Sequence, residues 1–510
     1  MRDLLLGIDL GTTAAKAALF SLDGRLESVG QAEYPLNHVR PNWIEQSPED
    51  WWQAVCAAIQ TTLKQVAHSA DRVIGIAVSS QAPTLLPLDR HGNPLRHAMI
   101  WMDRRADGEV ERLRESLSGD DIYRITGNRA DSFFIAPKLL WFKDHEPELF
   151  AQTHQFVQAN GYIAYRLSGS YSIDPAHSAL TGLRDHRTGD WSSALLERCG
   201  IEPSQFPPIR AGHEMIGEVT ADAARETGLR AGTPVMAGSI DGAAAALEAG
   251  AVQAGVAAEM TGTSTVVMIP NDAGLTDPNL ISVPHAVPGV HLLIGATVAS
   301  GASLRWFRDQ FGMVEVQAGA LLGVDPFDLL TQQAERITPG SGVIFLPYMM
   351  GERSPLWHTE ARGVFFGLSL ATPRAALIRA ILEGTGFALR HNIETARDAG
   401  CTVEEIRSVG GGAKSALWCQ IKADILGIPV ARPKTSVGAP FGDALLVGYG
   451  AGLYSDLADI VREAVRIERV FEPDMKRHQR YSEIYQLFRD LYAHLRNDFM
   501  RAAALFSSDG

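Results

Sequence analysis

Cysteine is scarce in this 510-residue sequence, with only four residues, Cys56, Cys199, Cys401 and Cys419. They lie far apart and form no CxxC pair, which predicts reduced thiols and excludes a disulfide framework or a zinc site. No apolar run reaches the ~18 residues of a membrane span. The stretch Leu4–Ile8 is too short for a signal peptide and Asp9 ends it. We therefore expect a cytoplasmic protein without a membrane partner.

Basic stretches are missing as well. The chain carries 46 Lys and Arg against 59 Asp and Glu, which gives a net charge of −13, and it contains no run of Lys or Arg. Because nucleic-acid binding requires a basic face, this balance argues against a nucleic-acid partner. With 46% hydrophobic and 21% charged residues the chain is not disordered. A chain of this length predicts about two to four domains.

The signatures HExxH and GxSxG do not occur, so zinc peptidases and serine hydrolases have no support. What is present is an alternation of strand, turn and helix patterns. Leu4–Leu10 and Ala14–Ser21 predict a hairpin, and Ser47 followed by a proline predicts the start of a helix covering residues 51–66. Residues 73–79 and 99–101 predict further strands. This alternation predicts an α/β fold.

The pattern of the first hairpin recurs halfway along the chain. Gly255–Met260, the turn Thr261–Ser264 and Thr265–Ile269 again predict strand, Gly-Thr turn and strand, and a helix of small residues at 243–246 precedes them. The repeat predicts two related α/β domains, which we place at residues 1–248 and 249–510. Two large domains that face each other across a cleft are a common setting for a ligand site.

The turn of the first hairpin is a candidate phosphate site. Gly11, Thr12 and Thr13 offer exposed backbone N–H groups and two hydroxyls, and Lys16 follows on the next strand. Asp9, at the end of the preceding strand, could hold a hydrated Mg²⁺ beside phosphate oxygens. An ordinary hairpin with solvated Asp9 and Lys16 is the alternative interpretation.

A second candidate is the glycine-rich segment Gly410–Ser415, between a strand at 406–409 and a helix at 416–426. Such a turn lets a nucleotide lie against the backbone at a helix N-terminus. It is neither a Walker A loop, because Ala413 separates glycine from lysine, nor a complete dinucleotide fingerprint, because Ser415 replaces the third glycine. An NADP-dependent dehydrogenase, with Arg432 and Lys434 on the 2′-phosphate, is one alternative, and a simple strand-to-helix turn is another.

Asp241 is the candidate general base. It follows the strand predicted at 234–237 and precedes the small-residue helix, a position where α/β proteins bind substrates, although a helix cap would also explain it. Two further segments carry polar groups beside an aromatic ring. These are Ser79-Ser80-Gln81 and Trp101-Met102-Asp103-Arg104-Arg105, which suit a sugar or a surface ion-pair set.

Together these motifs resemble the FGGY carbohydrate kinases, whose two ribonuclease-H-like domains belong to the actin-like ATPase superfamily. The resemblance runs from about residue 4 to about residue 450 and is nearest to the xylulokinases of that family. It rests on Asp9–Lys16, Trp43–Gln46, Asp241, Thr261–Thr263, Pro347–Pro355, Gly363–Leu368 and Gly410–Ser415. The resemblance implies a kinase that transfers the γ-phosphoryl group of ATP to a sugar with the help of Mg²⁺, most simply to a ketopentose such as D-xylulose.

The resemblance also implies a role for each matching residue. Asp241 is the base and contacts the sugar, together with Gln81, Trp101 and Asp103; Asp9 organises Mg²⁺. The residues implied to bind ATP are Thr12, Thr13, Lys16, Gly262, Thr263, Gly301, Arg305, Gly411, Gly412 and Ser415. A homodimer is one candidate assembly.

The sequence departs from the xylulokinases mainly on the sugar side. Ser80-Gln81-Ala82-Pro83 stands where they usually carry Gly-Gln-Met-His, Gly242 follows Asp241 where many have Asn, and Trp101–Arg105 is nearer to the glycerol kinases. One family signature expects His or an acid near Ala376. Glycerol, erythritol and ribulose therefore remain alternative acceptors. An ATP-driven switch of the actin or chaperone kind is a further alternative.

Overall fold

The computed structural model describes residues 2–340, 342–434 and 437–506, and it places two seven-stranded sheets at the centre of the molecule. The strands are β1 (Leu4–Leu10), β2 (Ala14–Ser21), β3 (Leu26–Glu33), β4 (Asn37–Arg40), β5 (Trp43–Gln46), β6 (Val73–Ser80), β7 (Leu86–Leu88), β8 (Ala98–Met99), β9 (Gln155–Val157), β10 (Met215–Glu218), β11 (Pro234–Met236), β12 (Ser239–Ile240), β13 (Gly255–Thr261), β14 (Thr265–Asn271), β15 (Ile281–Pro284), β16 (His291–Thr297), β17 (Ile344–Leu346), β18 (Val364–Phe366), β19 (Val403–Val409), β20 (Val430–Pro433) and β21 (Ile467–Phe471).

Helices cover the faces of both sheets. They are α1 (Pro48–Lys64), α2 (Ser69–Arg72), α3 (Asp107–Ser116), α4 (Gly119–Thr126), α5 (Ile135–His145), α6 (Pro147–Gln152), α7 (Ala159–Ser168), α8 (Pro175–Leu180), α9 (Ser193–Cys199), α10 (Ala221–Thr227), α11 (Asp241–Ala249), α12 (Gly301–Phe311), α13 (Met313–Leu322), α14 (Pro326–Glu335), α15 (Arg374–Asp398), α16 (Ala416–Leu426), α17 (Pro440–Gly450), α18 (Leu457–Ala464) and α19 (Met475–Phe506). Among the described helices, none is both long and apolar enough to cross a bilayer.

The first sheet has the order β10-β11-β6-β1-β2-β3, with β12 paired to β6. Its hairpin β1–β2 has the predicted bounds, and β6 joins β1 in parallel. The helix predicted after Ser47 is α1, and the Ser47 hydroxyl caps it by accepting a hydrogen bond from the Asp50 backbone N–H at 3.3 Å. The strand predicted at 99–101 is wrong in its extent. Strand β8 ends at Met99, because Trp101 lies in the turn that follows.

The second sheet has the order β15-β16-β14-β13-β19-β20-β21 and repeats the connectivity of the first. An antiparallel hairpin, β13–β14, opens it, an antiparallel strand continues one side, and the parallel strand β19 joins the other. Sheets β1-β2-β3-β6 and β13-β14-β16-β19 are therefore built alike. The predicted α/β fold and the recurrence of the hairpin are confirmed, whereas the boundary after residue 248 stays a prediction.

Two helices cross where the halves of the chain meet. Helix α17 packs on β1 and β6 of the first sheet although it comes late in the sequence, and it crosses α11. At the crossing a Cβ atom on Gly442 would lie 2.2 Å from the carbonyl oxygen of Ala244, so the close approach requires glycine. The C-terminal ends of β1, β6 and β19 then face one cleft between the two sheets.

Candidate active site

Two carboxylates stand on either side of strand β6 at its C-terminal end. Asp9 pairs in parallel register with Ser79, and Ile240, the residue before Asp241, pairs with Ser80. Asp9 Oδ1 is buried and has no hydrogen-bond partner among the described residues. Asp241 accepts one hydrogen bond, from the Gly242 backbone N–H at 2.7 Å. It is the first residue of α11 and provides no side-chain cap, so the helix-cap interpretation is not what the geometry shows.

Both carboxyl groups resist ionisation. Burial, followed by the negative charge of Asp241, raises the pKa of Asp9 to about 7. Burial also raises the pKa of Asp241 to about 6, against the opposing influence of the Gly242 N–H, His177 and Arg353. Two like charges so arranged favour a proton or a cation between them. Asp241 can therefore take up a proton near neutral pH.

The donor set fits a hydrated magnesium ion. Mg²⁺ prefers oxygen ligands, usually one or two carboxylates completed by water and phosphate oxygens. The unpartnered Oδ1 of Asp9 offers such an oxygen. No cluster of three or more His, Cys, Asp or Glu that could hold a metal occurs in residues 2–340, 342–434 and 437–506.

A cleft of about 730 Å³ opens beside these carboxylates and is large enough for a nucleotide. Among the residues predicted to bind ATP, Lys16 and Gly411 line it. The Lys16 ammonium donates to the Val437 carbonyl at 2.9 Å. Gly410, at a φ of 79°, turns the chain so that the Gly410–Gly412 backbone forms one wall, close to the carbonyl of Thr261.

The second predicted phosphate turn comes together with the start of α12. A Cβ on Gly301 would lie 2.0 Å from the Gly262 carbonyl oxygen, so the two glycines are in direct contact. Arg305 donates to the Thr263 hydroxyl at 3.4 Å. The structure thus assembles Gly262, Thr263, Gly301 and Arg305, which the sequence separates by some forty residues, into one group.

The other residues predicted to bind ATP have contacts within the protein. The Thr12 hydroxyl accepts from Trp101 Nε1 at 3.2 Å, and Thr13 is exposed on the same turn. Gly412 packs against the side chain of Thr261. Ser415 caps α16 by accepting from the Trp418 N–H at 3.3 Å. Their binding to ATP stays a prediction, because these contacts alone account for their residue types.

Of the residues predicted on the sugar side, Gln81 and Trp101 border the Asp241 region. Gln81 Nε2 donates to the side chain of Gln46 at 2.5 Å, which leaves Gln81 Oε1 buried without a partner. Asp103 is fully buried, and its carboxylate accepts from the Ile44 N–H at 2.7 Å and from the Arg105 guanidinium. These partners already occupy both carboxylate oxygens of Asp103. That Asp103 binds the sugar stays a prediction.

Sequence reasoning missed the arginines of this region. Arg353 lies with its guanidinium 4.8 Å from the centre of the Trp101 ring, and Arg129 lies 4.9 Å from that of Trp357. Both have a buried Nε without a partner. Arg353 stands in the Pro347–Pro355 motif, from which the sequence predicts no individual role, whereas no local signal marks Arg129.

A buried chain of hydrogen bonds ends next to Asp241. Asp174 bonds to His177 Nδ1, and His177 Nε2 lies 3.2 Å from the Ser80 hydroxyl. All three side chains are buried. His177 opposes the burial-driven rise in the pKa of Asp241, so it favours the ionised carboxylate. In the sequence, the spacing Asp174-x-x-His177 is the only local signal of this hydrogen-bond chain.

The geometry of Arg432 argues against the dehydrogenase alternative. Arg432 Nε donates to Glu468 at 2.9 Å, and its Nη1 donates to the Ala413 carbonyl at 3.2 Å. The guanidinium therefore supports the glycine-rich turn from within the protein. It is not free to receive a 2′-phosphate as that alternative requires.

Comparison with known proteins covers nearly the whole chain. Residues 4–248 match the N-terminal domain, and residues 257–451 the C-terminal domain, of the FGGY family of carbohydrate kinases. A xylulose kinase of Bacillus subtilis (strain 168) is 32% identical over 496 residues, 97% of each chain, and a gluconokinase of the same organism is 30% identical over 506 residues, 99% of this chain and 98% of the relative. The crystal structure of a xylulose kinase from Rhodospirillum rubrum superposes with a TM-score of 0.89 at 30% identity and covers 98% of this chain and 100% of that one.

These matches confirm the resemblance inferred from the motifs, and they exclude the dehydrogenase. They also confirm the actin-like ATPase fold and ATP as the co-substrate. The chain belongs to the FGGY family of carbohydrate kinases and is a sugar phosphotransferase.

Proposed function

We propose that this kinase phosphorylates a hydroxyl of an open-chain sugar, with D-xylulose as the first candidate, and that Asp241 is its general base. One observation carries the proposal: a half-buried, nearly unpartnered carboxylate that directly follows β12 lines the cleft that the two sheets share. Its raised pKa of about 6 suits a group that must accept a proton near neutral pH. The xylulose kinases among the relatives supply the choice of sugar.

In this mechanism Asp241 accepts the proton of the sugar hydroxyl as its oxygen approaches the γ-phosphorus. Phosphoryl transfer passes through a loose transition state, so positioning and neutralisation of charge contribute most of the catalysis. Lys16, Thr12, Thr13 and the Gly262–Thr263 turn hold the phosphates, and Gly411 with Gly412 borders the adenosine. Gln81 Oε1, buried without a partner, accepts a hydrogen bond from the sugar.

Asp9 has a separate role in the proposal. Its Oδ1 would hold Mg²⁺, which would supply positive charge against the phosphate oxygens. The negative charge of Asp241 helps to raise the pKa of Asp9, and a cation bound between the two carboxylates would offset that repulsion. When sugar and ATP are bound, closure of the two halves excludes water that would otherwise accept the phosphoryl group.

A sugar acid such as D-gluconate is the second candidate acceptor. The observation that favours it is the pair Arg129 and Arg353, which stack on Trp357 and Trp101 and have no carboxylate partner in the described chain. The nearby Asp131 cannot serve them, because Arg104 binds it at 2.5 Å. An unpaired, half-buried guanidinium gains from an anionic ligand. The gluconokinase among the relatives is consistent with such an acceptor.

An ADP-release assay with one acceptor at a time tests the proposal. The acceptors are D-xylulose, D-ribulose, glycerol, erythritol and D-gluconate, each at fixed ATP and Mg²⁺, with an acceptor-free control. We expect D-xylulose to give the highest kcat/KM. If D-gluconate exceeds it, and Arg129→Gln removes that preference, the sugar acid is the acceptor. If a folded protein releases no ADP with any of the five acceptors, the proposed substrate class is refuted. If ADP release is equal without an acceptor, the protein is an ATP-driven switch.

The cytoplasm as location and a homodimer as assembly belong to the same proposal. Four scattered and buried cysteines support a reducing compartment. Closed two-fold dimers are the commonest assemblies of soluble proteins. Fractionation of the source cells tests the location by following the protein against markers of membrane and soluble fractions. A protein found in the membrane fraction would contradict it.

A further inference from the structure

An ion pair is buried next to the turn Thr261–Ser264, which we call the second phosphate turn. Glu259 of β13 and Lys422 of α16 lie 2.8 Å apart; solvent reaches 3% of the Lys422 side chain and none of that of Glu259. Burial removes the hydration of both charges, and an apolar pair of similar size is often as stable or more stable. Stability alone therefore does not account for two charged residues at these positions.

The hydroxyl of Thr261 lies at the centre of the contacts that the ion pair makes. It donates to Glu259 Oε1, accepts from Lys422 Nζ at 3.2 Å and lies 2.7 Å from the Thr265 hydroxyl. A hydroxyl has one proton to donate and two lone pairs, so these three bonds use its full capacity. The side chain of Thr261 is thereby held in one orientation.

The remaining bonding capacity of the ion pair is also used. Glu259 Oε2 accepts from the Ser408 hydroxyl at 2.6 Å as well as from Lys422. Lys422 Nζ lies 5.1 Å from the centre of the Trp418 ring, a favourable position for a cation. Ser408 lines the cleft of about 730 Å³ beside Asp241. A buried polar network whose members are all satisfied makes the groups that it joins rigid.

Thr261 contacts both turns that are predicted to bind ATP. It is the first residue of the second phosphate turn and directly precedes Gly262. It also contacts the glycine-rich turn: a Cβ atom on Gly412 would lie 2.7 Å from the Thr261 side chain, and one on Gly410 would lie 2.8 Å from the Thr261 carbonyl oxygen. A fixed orientation of Thr261 therefore fixes the separation of the two turns.

We propose that Glu259 and Lys422 are positioning residues for ATP, which act through Thr261 to hold the second phosphate turn and the glycine-rich turn at one separation. Glu259 lies on the strand that leads into the first of these turns, and Lys422 lies on α16, which begins directly after the other. The ion pair therefore joins the two segments from beneath. The proposal rests on the binding of ATP by these turns, as proposed above, and adds the residues that set their spacing.

Isothermal titration calorimetry of ADP with the full chain tests the proposal. The variant Glu259→Gln/Lys422→Met removes both charges and leaves no buried charge unpaired, so its midpoint of urea unfolding should stay level or rise. Its Kd for ADP should rise roughly 10- to 100-fold, because a small displacement of positioned groups costs up to ~10²-fold. The matched control Arg379→Met/Glu383→Gln neutralises another buried ion pair with a 2.8 Å separation, which does not line the cleft, and should keep the Kd of wild type.

Thr261→Val provides the same test without altering a buried charge. Valine has the shape of threonine and lacks the hydroxyl, so the Kd for ADP should again rise. Because Thr261→Val and Glu259→Gln/Lys422→Met remove the same set of bonds, their combination should weaken ADP binding little more than either alone. Effects that multiply in the combined variant would refute the route through Thr261.

Gly411→Val separates the positioning role from the assignment of the turns, since it places a larger side chain on the wall of the cleft. If Gly411→Val binds ADP as tightly as wild type, the assignment of the glycine-rich turn to ATP is refuted, and the positioning role with it. If Gly411→Val weakens binding and the folded Glu259→Gln/Lys422→Met does not, the positioning role alone is refuted. An equal loss of ADP binding in Arg379→Met/Glu383→Gln would also refute it, since the effect would not be specific to this ion pair.

Discussion

The substitution Asp241→Asn separates catalysis from structure more sharply than any other in this site. Asparagine has the shape of aspartate and keeps an oxygen that can accept from the Gly242 N–H, the one hydrogen bond that Asp241 receives. It cannot take up the proton of a sugar hydroxyl. Because Asp241 does not cap α11, the substitution removes no helix cap.

The magnitudes follow from the burial of the group. General-base catalysis contributes ~10²–10⁴-fold, which is roughly 3–5 kcal/mol of barrier. Burial raises the pKa of Asp241 from 3.8 to about 6. Ionised Asp241 therefore costs the folded state roughly 3 kcal/mol, at about 1.4 kcal/mol for each pKa unit. We expect kcat to fall by two to four orders of magnitude, and the free energy of unfolding at pH 8 to stay level or rise.

Steady-state kinetics and urea unfolding on the same preparation provide the test. KM for ATP should change less than about threefold, since the turns that border the nucleotide are separate from Asp241. Asp424→Asn is the matched control, a buried aspartate of α16 that binds Arg477 outside the cleft, and it should keep its kcat. An Asp241→Asn enzyme within a few-fold of wild type would remove Asp241 from the chemistry. A large loss of stability would show that the residue is structural.

Three further predictions concern charge. The pKa of Asp9 in the folded state, about 7, lies above its value in the unfolded state, so its contribution to stability is present at low pH and is lost as pH rises from about 4 to 7. The stability gained by Asp9→Asn, measured by urea titration, should therefore grow over that pH range. A gain independent of pH would contradict a carboxylate whose pKa is raised by burial. Activity should vanish with EDTA and return with Mg²⁺, because a negatively charged triphosphate beside the carboxylates of Asp9 and Asp241 requires a divalent cation to neutralise the charge. Turnover insensitive to chelation would count against Asp9 as a metal ligand. Lys422→Met should cost about 3–5 kcal/mol of stability, because it leaves the fully buried Glu259 without its 2.8 Å partner, and unfolding within 1 kcal/mol of wild type would refute that pairing.

Local patterns located the elements that carry the site. The hairpin β1–β2 has its predicted bounds because two apolar runs and a glycine turn between them are encoded within twenty residues. The same holds for the helix α16 after the glycine-rich turn. The sequence indicates Asp9 and Asp241 because Asp9 lies at the end of a strand and Asp241 directly follows one. Their closeness depends on both strands flanking β6, which the sequence does not reveal by itself.

Long-range contacts account for what the sequence did not predict. The carboxylate oxygens of Asp103 accept hydrogen bonds from Ile44, almost sixty residues away in the chain, and from Arg105. The stacking of Arg353 on Trp101 joins residues some 250 positions apart. The burial of Glu315 depends on Arg374 of another helix. Periodicity within a segment carries no information on such partners.

The position of α17 on the first sheet has a consequence for synthesis of the chain. Residues such as Leu5, Phe20 and Met236 share one apolar cluster with Phe441 and Leu445 of α17. When residue 248 has emerged from the ribosome, nearly two hundred residues must still be translated before that helix arrives. At ~5–20 residues per second this interval lasts roughly 10–40 s, during which one face of the nascent sheet is uncovered and prone to aggregation. The amino-terminal half therefore depends on the carboxyl-terminal half to complete its own core, and a fragment truncated at residue 248 should require a chaperone to remain dispersed.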